Sequence, residues 1–328
     1  MQEMHKIKIP YDYSGSFSIK TYHYAIIFVL LMMIISMMLS FSSSSNAKKE
    51  TPINSLFYQP LLKDTMEWDN VFKEMHTCHI EKLILQWSKY DVVDFMQSDS
   101  WLTEILSQAQ KHNIKVIIGL YGDNKYFKTL ENPTTDVPKY LEYLLKMNTL
   151  QAKKVYAIAQ NYSAFDGWYV YDEIDDTNFN TTPKEEALKN YLQSLASTLN
   201  TITKRPLYIS GYFSNAMSPL EYTRMFSNIT QKNYTVLLQS GIGANLVDNN
   251  NSSLYMRTFS EQFQGQFIPI VEGFTMKDSN ITAIEFKALE AQIDLLKSSA
   301  NIHQTSLFSL RYFLDKKLLH NYKTKYCN

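Results

Sequence analysis

Short apolar runs alternate with amphipathic stretches along the chain from Pro52 onward. Eight of these runs are rich in β-branched and aromatic residues and carry apolar residues on both faces, as the buried strands of a parallel sheet do. Eight strands joined by crossover helices suffice to close a barrel. The predicted strands are Ser55–Gln59, Lys82–Trp87, Lys115–Tyr121, Gly167–Asp172, Pro206–Gly211, Thr235–Gln239, Phe267–Glu272 and Ser306–Arg311.

The segments between the strands show apolar residues at spacings of three and four, which predicts helices. Pro183 and Pro219 each follow a Thr or Ser, as proline does at the first turn of a helix. The alternation therefore predicts an α/β fold, a (β/α)8 TIM barrel. The predicted helices are Glu67–His76, Trp101–His112, Lys139–Asn161, Lys184–Thr201, Leu220–Gln231, Ser253–Gln264 and Ala283–Ser298.

A different pattern precedes the barrel. Residues 25–41 contain no charged side chain, which suits either a transmembrane segment or the core of a signal peptide. We therefore divide the chain into a polar segment (1–24), this hydrophobic segment (25–41), a Ser-rich linker (42–51) and the barrel (52–328). The expected location is the cell envelope, with the barrel either anchored in the membrane through residues 25–41 or exported to the periplasm or the extracellular space.

Charge and cysteine content narrow the possible partners. Lys plus Arg and Asp plus Glu both number 32, so the zero net charge argues against nucleic acid as a partner. The spacing of Cys78 and Cys327 matches no metal or redox motif, so we expect no metal and no cofactor. Two unpaired thiols are the favoured state of these cysteines, and a bridge formed by a folded-back C-terminal tail is the alternative.

Two glutamates end predicted strands, and a TIM barrel carries its working residues at those ends. Glu173 follows GWYVYD and shares one strand face with Tyr169 and Tyr171; Glu272 ends FIPIVE. A pair of carboxylates across one mouth is what glycosidic cleavage uses, so we assign both as catalytic. An alternative role for Glu272 is an ion pair with Arg311 at the end of the eighth strand; this pairing is compatible with catalysis, because a neighbouring arginine would keep a nucleophilic carboxylate ionised.

Other strand ends offer rings that can stack on sugars and polar groups that can bind hydroxyls. Asp175 and Asp176 are expected to cap the following helix, and the glycines of residues 240–244 are expected to allow an unusual turn near the ligand. The candidate substrate-binding residues are Tyr58, Gln59, Gln86, Trp87, Tyr121, Tyr171, Asp172, Tyr212, Gln239, Phe274 and Arg311.

The segments FYQP, LILQW, GWYVYDEIDD, ISGYF, QSGIGA and PIVEGF, spread over residues 53–314, resemble an uncharacterised bacterial family of glycosidase-like TIM barrels, a domain of unknown function. That family is distantly similar to the retaining glycoside hydrolase clan, whose catalytic glutamates follow strands four and seven. The resemblance implies Glu173 as acid/base and Glu272 as nucleophile. The clan usually has Asn where this chain has Asp172, a departure that changes the hydrogen bond to a sugar 2-hydroxyl.

Three functions are compatible with these features. The favoured one is a glycoside hydrolase that acts on a polysaccharide or glycan by paired carboxylates. The alternative is a non-catalytic carbohydrate-binding barrel in surface polysaccharide assembly. An aldolase or phosphatase is disfavoured, because the predicted rim has neither a lysine for a Schiff base nor a histidine-rich metal cluster.

Overall fold

Eight parallel strands close into a barrel in the computed structural model of the protein. Each strand pairs with the one before it in sequence, and β8 pairs with β1 to complete the ring. The structure describes residues 51–231, 234–277, 280–300, 302 and 304–327. The strands are β1 (Ile53–Tyr58), β2 (Lys82–Leu85), β3 (Lys115–Gly119), β4 (Phe165–Asp175), β5 (Leu207–Tyr212), β6 (Tyr234–Gln239), β7 (Gln266–Glu272) and β8 (Thr305–Phe308).

Helices surround the barrel and cover the outer faces of the strands. Ser218 caps one of them in a capping box with Glu221, directly before Pro219, as the sequence pattern predicts. The helices are α1 (Trp68–Thr77), α2 (Asp99–Lys111), α3 (Tyr126–Glu131), α4 (Val137–Ala159), α5 (Thr182–Ile202), α6 (Pro219–Ile229), α7 (Asn249–Gln262), α8 (Phe286–Ala300), α9 (Leu310–Phe313) and α10 (Lys316–Tyr322).

The predicted TIM barrel is therefore confirmed, and each of the eight apolar runs overlaps a barrel strand. The end of β8 is wrong in the prediction: the strand stops at Phe308, and Arg311 lies in α9. The sequence pattern also missed the short helix α3 and a hairpin of two strands, Phe274–Lys277 and Asn280–Ala283, that follows β7. These pieces are too short to show a periodic pattern.

A bulge interrupts β4 near its end. Val170 pairs with Ile209 and Ile174 pairs with Gly211, so four steps along β4 match two along β5. The extra residues, Tyr171 to Glu173, are not matched by partners on β5 over this interval. Bulges of this kind bend a strand and re-aim its side chains, and they are frequent beside active sites.

The two cysteines are joined in a disulfide, although the sequence favoured two unpaired thiols. Cys78 is buried directly after α1, and the turn Lys323–Cys327 brings the C-terminal end of the chain back to it. Lys323 adds an ion pair with Glu74 at 2.6 Å. The alternative, a bridge made by a folded-back tail, is therefore the correct one, and it closes a loop of 249 residues.

The predicted signal or transmembrane segment, residues 25–41, lies outside the described residues. Within the part of the chain that the structure describes, no helix combines the length and the apolar character needed to cross a membrane. The assignment of residues 1–51 to a leader and a linker stays a prediction.

Candidate functional site

The floor of the candidate site is a layer of side chains that point to the barrel axis. Because side chains alternate along a strand, residues two positions further along reach the mouth. A second ring of side chains, more polar than the first, therefore lies above this layer. In β2, β4, β6 and β7 the floor residues are Ile84, Tyr169, Leu237 and Ile270, and the residues above them are Gln86, Tyr171, Gln239 and Glu272.

Glu173 lies at the mouth within the bulge of β4 and is only partly buried. Its Oε1 accepts a hydrogen bond of 2.9 Å from Nε2 of Gln239, which comes from β6 on the other side of β5. The hydroxyl of Tyr126, in α3, donates to the main-chain carbonyl of Glu173 at 3.0 Å. Glu173 is therefore fixed at both its backbone and its side chain.

The environment of Glu173 raises the pKa of its carboxyl group to about 7. Burial is the largest cause, and the negative charge of Asp175 adds to it; the hydrogen bond from Gln239 acts in the opposite direction. A carboxyl group with such a pKa is present in both protonation states near neutral pH. Glu173 is therefore able to donate a proton and take one back.

Two phenols belong to the electrostatic surroundings of Glu173. Burial is the main cause that raises the pKa values of Tyr171 and Tyr212 well above the ordinary 10, and the charge of Glu173 raises both further. Both phenols consequently stay protonated at neutral pH and are able to act as hydrogen-bond donors. Both are partly buried, as expected of groups that line a binding site.

An aromatic cluster extends the mouth on the side of β1 and β2. Trp87 stacks on Tyr90 with ring centroids 4.5 Å apart, and Tyr171 meets both rings edge-on. The indole of Trp87 is fixed by a hydrogen bond of 3.2 Å to the carbonyl of Pro60. Gln59, Trp87 and Tyr90 help to line an open cavity of about 570 Å³, which has room for a sugar-sized ligand.

Gln86 offers an acceptor at the mouth. The residue is 3% exposed, and among the described residues its Oε1 has no hydrogen-bond partner. Buried polar atoms are nearly always paired in folded proteins, so an unpaired one calls for an explanation. Because that oxygen is itself buried, the structure does not show it open to a ligand, and the assignment of Gln86 as a substrate-binding residue stays a prediction.

Glu272 ends β7 in a very different environment. It is 1% exposed, and its carboxylate accepts hydrogen bonds from the Ser240 hydroxyl, the amide of Gly241 at 2.8 Å and the amide of Gly243 at 3.4 Å. Burial raises the pKa of Glu272, while these donors lower it. The loop after β6 therefore folds around Glu272, and the glycines that were expected beside a ligand lie beside this carboxylate instead.

Glu272 and Arg311 do not form the ion pair that the sequence suggested. The guanidinium group of Arg311 donates to the carbonyl of Gln59 at 3.2 Å and lies 3.7 Å from the carboxylate of Asp64. The reason is that β8 ends at Phe308, so Arg311 belongs to a helical turn that approaches the loop after β1.

Contrary to the prediction from the sequence, Asp172 does not lie among the ligand contacts, because its side chain faces away from the mouth. Its Oδ2 accepts hydrogen bonds from the Tyr191 hydroxyl at 2.5 Å and from Nδ2 of Asn148 at 3.3 Å, so it points toward α4 and α5. Residues adjacent in a strand point to opposite faces, which is why the neighbour of Glu173 does so. Burial raises the pKa of Asp172 to about 7, against the effect of these two hydrogen bonds.

Tyr58 and Tyr121 are also turned from the mouth. Tyr58 packs edge-on against Trp68, and its hydroxyl donates to Asp64 at 3.2 Å. Tyr121 lies beyond the end of β3, where its hydroxyl meets that of Tyr143 in α4 at 3.1 Å. Both belong to the core between the strands and the helices.

Asp175 and Asp176 are structural, as expected, but neither caps the next helix, whose N-cap is Thr181. Asp175 accepts from the amides of Thr177 and Asn178 in the turn directly after β4. Asp176 accepts from the amides of Ser214, Ala216 and Met217, and thereby holds the loop after β5.

Two residues that sequence reasoning missed belong to the same region. Phe308 is an inward, partly buried ring that contacts Phe57 and Phe274 at centroid distances of 5.7 and 6.1 Å. The sequence pattern does not single it out, because the predicted strand continues beyond Phe308 to Arg311. Ser240 was treated only as part of a glycine-bearing loop, since nothing in the sequence shows that its hydroxyl binds Glu272.

Within the described residues, no group of three or more His, Cys, Asp and Glu side chains is arranged to hold a metal ion.

Comparisons with known proteins agree with this architecture. Residues 53–316 match the family described as a domain of unknown function, DUF4434. The uncharacterized protein YbcH of Escherichia coli K12 is 26% identical over 268 residues, which is 79% of this chain and 90% of that protein.

Solved structures with the same fold include glycoside hydrolases. A provisionally assigned alpha-L-fucosidase from Bacteroides thetaiotaomicron superimposes with a TM-score of 0.66 at 18% identity and covers 84% of this chain and 94% of its own. A GH18 chitinase from Pseudoalteromonas aurantia has a TM-score of 0.54 at 10% identity, with 82% and 98% covered. The chain belongs to the DUF4434 family, and its TIM barrel is the fold of these glycoside hydrolases.

Proposed function

We propose that this protein is a glycoside hydrolase in which Glu173 is the general acid. The observation that carries the proposal is the carboxyl group of Glu173, a partly buried residue at the barrel mouth, whose pKa is raised to about 7 and whose position is fixed by Gln239. Glycosidic cleavage needs such a group to protonate the leaving oxygen. The rings of Trp87 and Tyr171 supply aromatic surfaces suited to stacking on a sugar. The hydrolase names of the similar structures support the same class of substrate.

The assignment of Glu272 as the nucleophile stays a prediction. Its burial, with a carboxylate already bound by the loop after β6, favours a second candidate function, in which the barrel binds a glycan without cleaving it. The two functions differ in one measurable respect: the hydrolase releases product, whereas the binding barrel forms a stable complex with the same oligosaccharide.

We place the working protein outside the cytoplasm, in the cell envelope or beyond it. The disulfide between Cys78 and Cys327 supports this location, because such bridges persist in oxidising compartments. The uncharged segment 25–41 supports it as well, as an anchor or as an export signal.

A panel of 4-methylumbelliferyl glycosides and envelope polysaccharides tests the hydrolase. Wild-type protein should release product from at least one member, and Glu173→Gln should lower kcat/KM by about 100-fold or more, since it removes the proton donor. Glu261→Gln is the matched control: Glu261 is exposed near the C-terminal end of α7, at the end of the barrel opposite the mouth. Oligosaccharide binding without product over long incubation would select the binding barrel instead.

A further inference from the structure

The carboxylates at the ends of β4 and β7 differ in how many hydrogen bonds they already accept from the protein and in how deeply they are buried. Glu173 accepts one side-chain hydrogen bond, from Gln239. Asp172, Asp175, Asp176 and Glu272 each accept at least two hydrogen bonds, and each is 3% exposed or less. Among the described carboxylates of these two strand ends, Glu173 therefore has the greatest freedom to react.

A second carboxylate that attacks an anomeric carbon must present a free oxygen to the substrate. The oxygens of Glu272 accept from Ser240, Gly241 and Gly243, and the side chain is almost wholly buried. Withdrawing the carboxylate would leave these buried donors without an acceptor, which is unfavourable. The arrangement is that of a group that holds a loop in place.

The phenols beside Glu173 do not replace that nucleophile. A tyrosine attacks as a phenolate, and the pKa values of Tyr171 and Tyr212 are raised well above the ordinary 10, so both remain neutral phenols. They are suited instead to donating hydrogen bonds to a substrate carbonyl group.

We infer that the substrate brings its own nucleophile, and that the protein cleaves the β-glycosidic bond of a 2-acylamino sugar with Glu173 as its one reacting carboxyl group. This inference rests on the proposed hydrolase function and names its substrate class. The geometry behind it is the contrast between an open Glu173 and an enclosed Glu272.

The reaction balances with Glu173 alone. The carbonyl oxygen of the 2-acylamino group bonds to the anomeric carbon as the bond to the leaving oxygen breaks, and Glu173 gives its proton to that oxygen. Ionised Glu173 then takes a proton from water; the water oxygen bonds to the anomeric carbon and the bond to the acyl oxygen breaks. The amide is restored, Glu173 is protonated again, and the sugar keeps its configuration.

The test uses the wild-type protein with 4-methylumbelliferyl glycosides of gluco and galacto configuration, each as the 2-acetamido, 2-trifluoroacetamido and 2-hydroxy derivative, in both anomers. We expect the β-linked 2-acetamido glycosides to be cleaved. The trifluoroacetamido derivatives should be cleaved with kcat/KM lowered by more than about tenfold, because fluorine weakens the attacking oxygen. The α anomers should be inert, since their 2-substituent lies on the same side as the leaving group.

Cleavage of the 2-hydroxy glycosides at comparable rates, or a rate indifferent to fluorine, would overturn the inference and leave the hydrolase intact. So would loss of turnover in Glu272→Gln to the level of Glu173→Gln, provided that its Tm is that of the wild type. Glu131→Gln tests another exposed carboxylate, in α3, whose negative charge contributes to the raised pKa of Tyr212. Loss of turnover in this variant would reveal a second reacting carboxyl group and overturn the inference. Absence of cleavage in the whole panel, polysaccharides included, would remove the hydrolase proposal as well.

Discussion

Asp172→Asn should be more favourable to the stability of the protein at alkaline pH than at acid pH. Asp172 is buried between β4 and two helices; its Oδ2 accepts from Tyr191 and Asn148, and its Oδ1 has no partner among the described residues. An Asn side chain of the same shape can keep its oxygen in the place of Oδ2, so both hydrogen bonds persist. The substitution removes the ionisation of a buried group, and it also leaves the new amide hydrogens at the place of Oδ1 without an acceptor among the described residues, a cost that does not depend on pH.

The magnitude follows from the pKa of Asp172, which burial raises from the ordinary 3.8 to about 7. At about 1.4 kcal/mol for each pH unit, the difference amounts to roughly 4 kcal/mol. Below about pH 4 the group is protonated in both the folded and the unfolded chain, so ionisation costs nothing. As the pH rises from about 4 to about 7 the unfolded chain ionises this carboxyl while the folded protein keeps it protonated, so the wild type loses that stability over this interval and has lost all of it above about 7.

Thermal unfolding of the wild type and Asp172→Asn at about pH 4 and about pH 9 measures the effect. A gain of about 4 kcal/mol between the two pH values corresponds to roughly 8 °C or more in Tm for a large domain. Other titrating groups are present in both proteins, so their contributions largely cancel in the difference. A Tm difference independent of pH would refute the reasoning.

Three further predictions concern the disulfide, the loop after β6 and the acid. Removing the bridge by Cys78→Ala with Cys327→Ala should lower the free energy of unfolding by about 5 kcal/mol, since it closes a loop of 249 residues, and reductant should then no longer change the Tm. Gly243→Ala should cost about 1 to 3 kcal/mol in urea unfolding, because a Cβ there would lie 2.5 Å from that of Glu272. For any glycoside that proves to be cleaved, kcat/KM should fall as the pH rises above about 7, because Glu173 must be protonated to act, and a flat alkaline limb would contradict that role.

The barrel could be predicted from the sequence because its strands are apolar runs separated by helical periodicity, which are local patterns. The direction of individual side chains was harder to predict. In β4, Trp168 and Val170 face the helices while Tyr169 faces the axis, so both faces are apolar and the pattern does not reveal which one is inside. Asp172 was accordingly included among the ligand contacts although it belongs to the outer face.

The errors at other sites have a non-local origin. Cys78 and Cys327 are far apart in the sequence, and their pairing depends on the path of the last turn of the chain. The state of Glu272 likewise depends on Ser240 and Gly241, which follow a neighbouring strand. A strand-end pattern identifies a carboxylate at the mouth, but it does not show whether another loop has already bound it.

Glu173 and Glu272 show why burial alone does not make a reactive acid. Burial is the largest cause of the raised pKa of both groups. Around Glu272, a hydroxyl and two backbone amides offset that effect, and the same donors take up the oxygens that a substrate would need. Around Glu173, one amide hydrogen bond from Gln239 opposes burial, and the side chain remains accessible. Reactivity at this mouth therefore depends on how few hydrogen-bond donors surround Glu173. Adding donors around Glu173 should lower its pKa and so reduce the fraction of the group that is protonated and able to act as a general acid at neutral pH.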